Sequence, residues 1–320
     1  MNSSKRVEWI DITKGIAIFL MVIGHSSLPI AGNKFIWSFH MPLFYIVSGM
    51  LLNKERYSKF EEFIKRCIFS LLIPYIFFTI IVTIINSIFD VGVIWSPKDG
   101  WGAYALWFVE VLFVSEIIIY LLIKSIHSKY LFALILVIML TCGWLFQLYE
   151  ISFPFKMHVV LWASFFYGLG YLFQNLLKKI SVKYYVSFGM LLLAFIVCQF
   201  LPKTDMCFNN HGLFPLNTIV AIWSTTAIIL ISKTVSEHPY GHTKRILIWG
   251  GGNTYTIMGL SQIIMIVLKD IFIDFPIPSY ANSLLRYILL FTLLYIASLI
   301  LNKHFPFFIG KRLKKISSNE

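Results

Sequence analysis

The sequence predicts an all-α fold, a polytopic membrane helix bundle of about ten transmembrane helices with both termini in the cytoplasm. Three observations lead to this prediction. Hydrophobic residues make up 58% of the 320 residues and charged residues only 13%, which is more apolar surface than one globular core can bury. The apolar segments recur at close intervals, with lengths suited to a hydrocarbon core about 30 Å thick. Finally, the density of Lys and Arg alternates from loop to loop.

Each predicted span is an apolar segment bounded by polar residues. The spans cover about residues 8–27, 35–52, 67–90, 103–123, 130–148, 157–177, 184–201, 215–232, 247–268 and 282–302. Segments such as FTIIVTIINSIF are apolar on nearly every face, which favours helices over the alternating pattern of a membrane β-barrel. A cleaved signal peptide is rejected because no small-residue cleavage site follows the first segment and a second apolar segment comes almost at once.

Basic residues predict how the spans are oriented. They are dense before the first span and after the even-numbered spans, as at Lys54, Lys65 and Arg66, whereas the other loops carry single residues such as Lys34 and Lys156. Because cytoplasmic loops accumulate Lys and Arg, the dense loops and both termini are predicted to be cytoplasmic. Orientation and attraction to anionic membrane lipids explain the net charge of +12, and no nucleic-acid partner is expected.

The first predicted span contains three ionisable residues, Asp11, Lys14 and His25. An ionisable residue costs about 2.5–3.5 kcal/mol at the bilayer centre, so each is a functional candidate by default. At about 100° per residue the three lie on one helical stripe, but about 16 Å of helix axis separates Lys14 from His25. We therefore expect Lys14 near the cytoplasmic mouth and His25 deep in the membrane or toward its outer side.

The second predicted span, FIWSFHMPLFYIVSG, contains a second histidine. His40 is predicted near the outer end at a depth similar to that of His25, so the two are expected to share a cavity. Pro42 removes a backbone hydrogen bond and tends to kink the helix, which is tolerated where a helix lines a cavity. Ser48 lies further toward the cytoplasm. A structural hydrogen bond between helices remains the alternative role for each histidine.

Other polar residues contribute less to the prediction. Glu110 and Glu116 in LWFVEVLFVSEIIIY differ by about 240° around a helix, so they cannot both face one cavity. Glu110 follows an aromatic cluster that includes Trp107 and is the better site candidate. The four cysteines are widely spread and lack metal-binding spacing, so neither a metal nor a disulfide framework is expected.

In this order, Arg6, Asp11, Lys14 and His25 followed by FHMPLFYIVSG and KRCIFSLLIPY resemble the acyltransferase 3 family of integral membrane acyltransferases. The short members that O-acetylate surface sugars are the most similar. LWFVEVLF at 106–113 and GGNTYTIMGL at 251–260 resemble later landmarks of the family. The resemblance is strong over about residues 6–80 and diffuse afterwards, and it implies a single transmembrane acyltransferase domain over residues 1–320 without a soluble domain.

The resemblance implies transfer of an acetyl group from acetyl-CoA to a hydroxyl of a cell-surface polysaccharide sugar or its lipid-linked precursor, in the bacterial cytoplasmic (inner) membrane. The essential histidine of the family, eleven positions after a basic residue, corresponds to His25. The basic residue here is Lys14, where arginine is more usual, and lysine lacks the bidentate fork of arginine. The family often has a histidine after the G-x-N-T segment, where this chain has Ser261.

A mechanism follows from these residues. A neutral histidine with a pKa near about 6.5 is suited to take the proton of a sugar hydroxyl as it attacks a thioester. The catalytic candidates are His25, as the base, and His40. The CoA phosphates are assigned to the inner mouth, at Lys14 and Arg6, with Asp11 holding one of these cations in place. Residues that are candidates for shaping the acceptor site are Trp107, Glu110, Ser48 and Asn253.

A transporter or flippase for a sugar-linked or anionic substrate is the alternative. In that case the charged stripe would be a permeation path or proton relay, and the Pro42 and GGN segments would be the broken helices that transporters often contain. The enzyme requires acetyl-CoA, whereas the transporter does not. A purely structural membrane protein, with no catalytic activity, is disfavoured because it would leave the intramembrane charges unexplained. The oligomeric state is not indicated by the sequence.

Overall fold

The computed structural model describes residues 7–25, 28–57, 59–90, 104–239, 241–273 and 278–311. Of the described residues, 83% are helical and none belongs to a β-strand. The α-helices in these ranges are α1 (Glu8–Gly24), α2 (Ile30–Met50), α3 (Phe60–Cys67), α4 (Ile73–Phe89), α5 (Trp107–Ser125), α6 (Lys129–Leu148), α7 (Val160–Lys179), α8 (Tyr184–Gln199), α9 (Leu216–Glu237), α10 (His242–Gly252), α11 (Thr254–Ile271) and α12 (Ser279–His304). A π-helical turn, Ile68–Leu72, joins α3 to α4 without interrupting the helical path.

Seven helical segments among the described residues are long and apolar enough to cross a membrane. They are Phe60–Phe89, Tyr104–Ser125, Lys129–Leu148, Pro154–Lys179, Leu216–Glu237, Thr254–Ile271 and Ser279–His304. The protein is therefore a multi-pass membrane protein, as predicted. The count of ten spans and the cytoplasmic termini remain predictions. The first two helices are not among the seven, because α1 has only 17 residues and α2 carries polar residues such as Lys34 and His40.

Two of the predicted spans differ from the observed helices in ways that bear on the site. The second helix begins at Ile30 rather than at residue 35, and it continues through Pro42 to Met50. A proline inside a helix removes the hydrogen bond to the carbonyl four residues earlier, here that of Ser38, but the surrounding residues keep the helix intact. The predicted span 247–268 is two helices, since the chain leaves helical geometry at Asn253 with φ −127° and ψ 27°.

The chain divides into two compact units, Met1–Arg56 with Val114–Thr254, and Tyr57–Phe113 with Tyr255–Glu320. In the first unit, α1 packs against α2, α9 and α10, and α2 also packs against α7, α8 and α9. In the second unit, Gly259 of α11 packs against the ring of Phe78 on α4. The histidine-bearing helices α1 and α2 thus belong to the first unit.

Two helix pairs in the first unit cross with their backbones in contact, and glycine is the residue at each contact. A Cβ on Gly251 of α10 would lie 1.9 Å from the backbone oxygen of Asp11, and one on Gly15 of α1 would lie 2.0 Å from that of Leu247. The pair formed by α2 and α7 is built in the same way. Small residues allow such close approach in membranes, where packing rather than the hydrophobic effect holds helices together.

We expect Gly170→Ala on α7 to destabilise the protein. The new Cβ would lie 2.0 Å from the backbone oxygen of Ile46 on α2, and a helix backbone cannot move aside as a flexible side chain can. Overpacking of this kind costs about 1–3 kcal/mol, so the unfolding temperature of the detergent-purified protein, followed by tryptophan fluorescence, should fall by several degrees.

The matched control is Gly189→Ala, at an exposed helical glycine on α8 where a new methyl group would have nothing within 4 Å. Alanine is the better helix former by about 1 kcal/mol, so this variant should unfold at the same temperature or slightly higher. Equal unfolding temperatures for Gly170→Ala and Gly189→Ala would show that the α2–α7 crossing is not closely packed.

Candidate active site

His25 ends α1 at the point where it meets α2. The helix is unbroken from Glu8 to Gly24, and the His25 amide still donates to the Met21 carbonyl at 3.2 Å. The side chain is exposed, and its ring centroid lies 6.5 Å from that of His40. The structure therefore brings the two predicted catalytic histidines together.

His40 is buried, with only 4% of its surface exposed. Its Nδ1 lies 2.9 Å from the carbonyl oxygen of Ile36, which can only accept a hydrogen bond. The proton of the neutral ring is thus assigned to Nδ1, and Nε2 keeps its lone pair. Because α2 begins at Ile30, His40 lies about 15 Å along the helix from its first residue, and its depth in the membrane remains a prediction.

Trp37 links the two histidines to the end of α1. Its ring centroid lies 5.1 Å from that of His25 and 5.8 Å from that of His40. The indole Nε1 donates to the Gly24 carbonyl at 2.9 Å, and the Asn33 amide donates to the same oxygen at 2.9 Å. These two donors satisfy one of the carbonyls that a helix leaves open at its C-terminal end, and they fix α1 against α2.

Lys203, in the loop between α8 and α9, brings a positive charge to the same place. Its Nζ lies 3.9 Å from the centroid of the Trp37 ring, which is cation–π geometry. The neighbouring Thr204 hydroxyl donates to the Trp37 carbonyl at 3.2 Å, and Lys34 of α2 donates to the carbonyl of Gln199 at 2.8 Å. The loop is therefore tied to α2 on both sides of Lys203. The sequence carries no sign of this contact, because a single lysine in a loop indicates only topology.

The rest of this loop folds into the protein around His211, which is fully buried. Its ring stacks on Trp162 of α7 with centroids 3.7 Å apart, and its amide donates to Gln147 Oε1 at 2.8 Å. The Asn209 amide donates to the Gly143 carbonyl at 3.1 Å. Burial lowers the pKa of His211 to about 3, so the ring is neutral at physiological pH. These contacts hold the loop, and with it Lys203, in one position.

The other predicted residues of α1 lie at the opposite end of the helix. Asp11 is buried with 8% exposed, and its backbone contacts Gly251. Lys14 is half-buried. Since α1 is continuous, about 16 Å of helix axis separates Lys14 from His25, in agreement with the expected division into two ends. Arg6 lies outside the described residues.

Two further lysines stabilise this end of the first unit. Lys244, which is 7% exposed, pairs with Glu8 at 2.6 Å and donates to the carbonyls of Ser236 and His238. Lys233 donates to the carbonyls of Lys178 and Ile180 at 3.0 and 2.6 Å, at the C-terminal end of α7. A cation is favourable at that end of a helix because the unpaired carbonyls carry partial negative charge.

Two of the four candidates for the acceptor site lie in the first unit, and neither is near His25. Ser48, eight residues after His40 on α2, lies about 12 Å further along the helix. Asn253 follows Gly251 and so belongs to the Asp11 end of α1; its amide donates to the Trp249 carbonyl at 2.8 Å.

Trp107 and Glu110 belong to the second unit, where the Tyr75 hydroxyl donates to Glu110 Oε1. Ser261 is buried in the same unit. Arg286 in α12 was overlooked in the sequence: it is a cation within a candidate span, and its Nη2 donates to the Ser283 hydroxyl at 3.3 Å.

Comparison with known proteins supports the resemblance found in the sequence. The chain matches the family model described as an acyltransferase domain over residues 7–303, nearly its whole length. Comparisons with curated proteins and with solved structures gave no match. The matched range includes the histidine pair, Trp37 and the loop that carries Lys203. The chain therefore belongs to the acyltransferase 3 family, and it is a membrane acyltransferase.

Proposed function

We propose that this protein is an O-acetyltransferase that moves acetyl from cytoplasmic acetyl-CoA to a hydroxyl of a surface polysaccharide sugar or its lipid-linked precursor, in the bacterial cytoplasmic membrane. The observation that carries the proposal is the cluster of His25, His40, Trp37 and Lys203 at the end of α1. An exposed histidine beside a fixed cation supplies a base and an electrostatic stabiliser, which are the two groups that acyl transfer to a hydroxyl requires.

In the proposed reaction the sugar oxygen attacks the thioester carbonyl while His25 takes the hydroxyl proton. A C–O bond forms, the carbonyl oxygen becomes negatively charged, and the C–S bond then breaks as the carbonyl reforms. The leaving sulfur of CoA takes the proton back from the imidazolium, so the products are the acetyl ester and the free thiol. His25 returns to its neutral state without an added oxidant, reductant or metal.

We assign to Lys203 the stabilisation of the oxyanion in this reaction. Its ammonium is held against Trp37, whose ring also contacts both histidines, so the charge does not have to be reorganised when the oxyanion forms. His40 is the second candidate base because its Nε2 lone pair is fixed by the hydrogen bond from Nδ1 to Ile36. Asp11 cannot orient the His25 ring, since about 21 Å of helix axis lies between them.

The donor is proposed to bind at the opposite end of α1. Lys14, with Arg6, is assigned to the phosphates of CoA, Asp11 holds one of these cations in place, and the pantetheine arm then covers the distance to His25. In this arrangement α1 lines the path that joins a cytoplasmic nucleotide site to the acyl-transfer site. It also gives a function to ionisable residues at both ends of a single apolar helix.

The break between α10 and α11 at Asn253 is the observation that favours the alternative, a transporter or flippase, because discontinuous helices line many transport paths. Release of free thiol from acetyl-CoA distinguishes the two. A transporter releases none, whereas the proposed enzyme releases one thiol for every acetyl ester formed.

Replacement of His25 should abolish acetylation. The measurement follows the O-acetyl signals in the NMR spectrum of the surface polysaccharide, in cells that lack the gene and are complemented with His25→Ala. These signals should appear about 10²–10⁴-fold more slowly than with the wild-type gene, because this is the usual contribution of a general base. The exposed side chain of His25 means that the unfolding temperature should not change. The control is His304→Ala, an exposed histidine at the end of α12, which should acetylate normally. Wild-type acetylation by His25→Ala would exclude His25 as the base.

His40→Asn separates a catalytic from a structural role. The asparagine amide can reproduce the Nδ1 donation to the Ile36 carbonyl but has no atom in place of Nε2. If Nε2 acts in the reaction, this variant folds normally and loses at least about tenfold in kcat. Full activity together with a normal unfolding temperature would assign His40 to structure alone.

Lys203→Met should lower kcat by about 10²–10³-fold, the usual effect of removing one oxyanion donor. The KM for acetyl-CoA should stay unchanged because the CoA phosphates are assigned to the other end of α1. Lys203→Arg restores the positive charge and should recover part of the rate. Lys303→Met, at an exposed position on α12, serves as the control. A change in KM with constant kcat would contradict the assigned role.

A further inference from the structure

The first unit contains a cavity beyond the C-terminal end of α2, away from the histidine pair. It encloses about 180 Å³ and is partly open. Three parts of the chain form its walls: the turn that follows α2, the loop between α5 and α6, and the C-terminal half of α7. Each of these three parts includes or adjoins a loop that the distribution of Lys and Arg predicts to be cytoplasmic.

The cavity lining contains two lysines and no carboxylate, although Glu55 beside Lys54 acts electrostatically on Tyr171 of the lining. Lys54 and Lys129 both line the cavity, and neither makes a hydrogen bond or an ion pair with another residue in the part of the chain that the structure describes. His127 and the Asn175 amide add further polar groups. Lys178 Nζ donates to Gln174 Oε1 at 3.1 Å, so the side-chain NH₂ group of Gln174 remains available as a donor. The cavity therefore presents donors and cations to a ligand with negatively charged oxygens.

The floor of the cavity is apolar. Phe132 of α6 and Tyr171 of α7 meet edge to face with centroids 6.0 Å apart, and Ile123, Ile126 and Leu172 add further apolar lining. A charged rim over an apolar floor matches a ligand that is anionic at one end and hydrocarbon at the other. A soluble anion gains nothing from contact with an apolar floor. A phospholipid, in contrast, can place its phosphate at the rim and its first acyl carbons against the floor.

The depth of the cavity in the membrane agrees with such a ligand. The sixth helix begins at Lys129, and the next residue, Tyr130, is 91% exposed. Tyrosine is enriched where the hydrocarbon core meets water, at the level of the lipid phosphates. The cavity rim, formed by Lys129 and its neighbours, is therefore expected at the height of the headgroups.

We propose that this cavity binds the phosphate headgroup of an anionic phospholipid from the cytoplasmic leaflet. Basic pockets between transmembrane helices on that side of a membrane are known to bind anionic headgroups. Lys54 and Lys129 pair with the phosphate oxygens, the amides of Gln174 and Asn175 donate to them, and an acyl chain passes over Phe132 and Leu172. The bound lipid links the turn after α2 to α6 and α7.

The test measures lipid retention by native mass spectrometry of protein released from nanodiscs made of equal parts phosphatidylglycerol and phosphatidylcholine. Wild-type protein should retain phosphatidylglycerol at least about tenfold over phosphatidylcholine, since each lysine near the surface contributes about fivefold for an anionic lipid. The double variant Lys54→Gln/Lys129→Gln should retain the two lipids nearly equally.

The control is Lys179→Gln/Lys183→Gln, which removes the same charge from exposed positions outside the cavity and should keep the wild-type selectivity. If the first double variant does not fold, the single variant Lys129→Gln, at an exposed position, should lose about fivefold in selectivity. Equal retention by wild type and the cavity variants would overturn the proposal. So would displacement of the bound lipid by acetyl-CoA at micromolar concentration, because the cavity would then be a nucleotide site.

Discussion

Backbone contact between helices is the constraint on which the first unit depends. At the crossings of α1 with α10 and of α2 with α7, glycine lies against a peptide oxygen of the partner helix at a distance that leaves no space for a methyl group. Within a membrane, where lipid is as apolar as leucine, this close packing supplies the attraction that burial supplies in water. The two helices that carry His25 and His40 are the ones held in this manner, so the histidine pair rests on rigid supports rather than on loops.

Unpaired carbonyls at helix ends are the second organising feature. Trp37 and Asn33 donate to the last carbonyl of α1, while Lys233 and Lys244 donate to carbonyls at the ends of α7 and α9. The same lysines contribute to the charge pattern that predicts orientation. A basic residue in a membrane protein can therefore serve topology and helix capping together, and its position in a loop does not reveal which carbonyl it will meet.

The sequence was sufficient for the helical class, for the approximate position of most helices, and for the proximity of His25 and His40, because hydrophobic length and axial rise determine these. It did not predict Lys203 or His211. Both belong to a loop that folds back onto the helices, and a loop without periodic residues shows no sign of what it contacts. The end of the helix at Gly252 was missed for a related reason: the apolar pattern continues through Asn253, whereas the backbone does not.

The π-helical turn at Ile68–Leu72 has a consequence for the second unit. Its hydrogen bonds span five residues instead of four, so it accommodates one residue more than an ordinary turn. Deleting a single residue there would let the chain close as a regular helix, and α4 would keep nearly the same orientation because the π-turn already absorbs the extra residue. The hydroxyl of Tyr75 would still face Glu110. This turn is therefore a place where the chain can lose one residue without changing which side chains of α4 meet their partners.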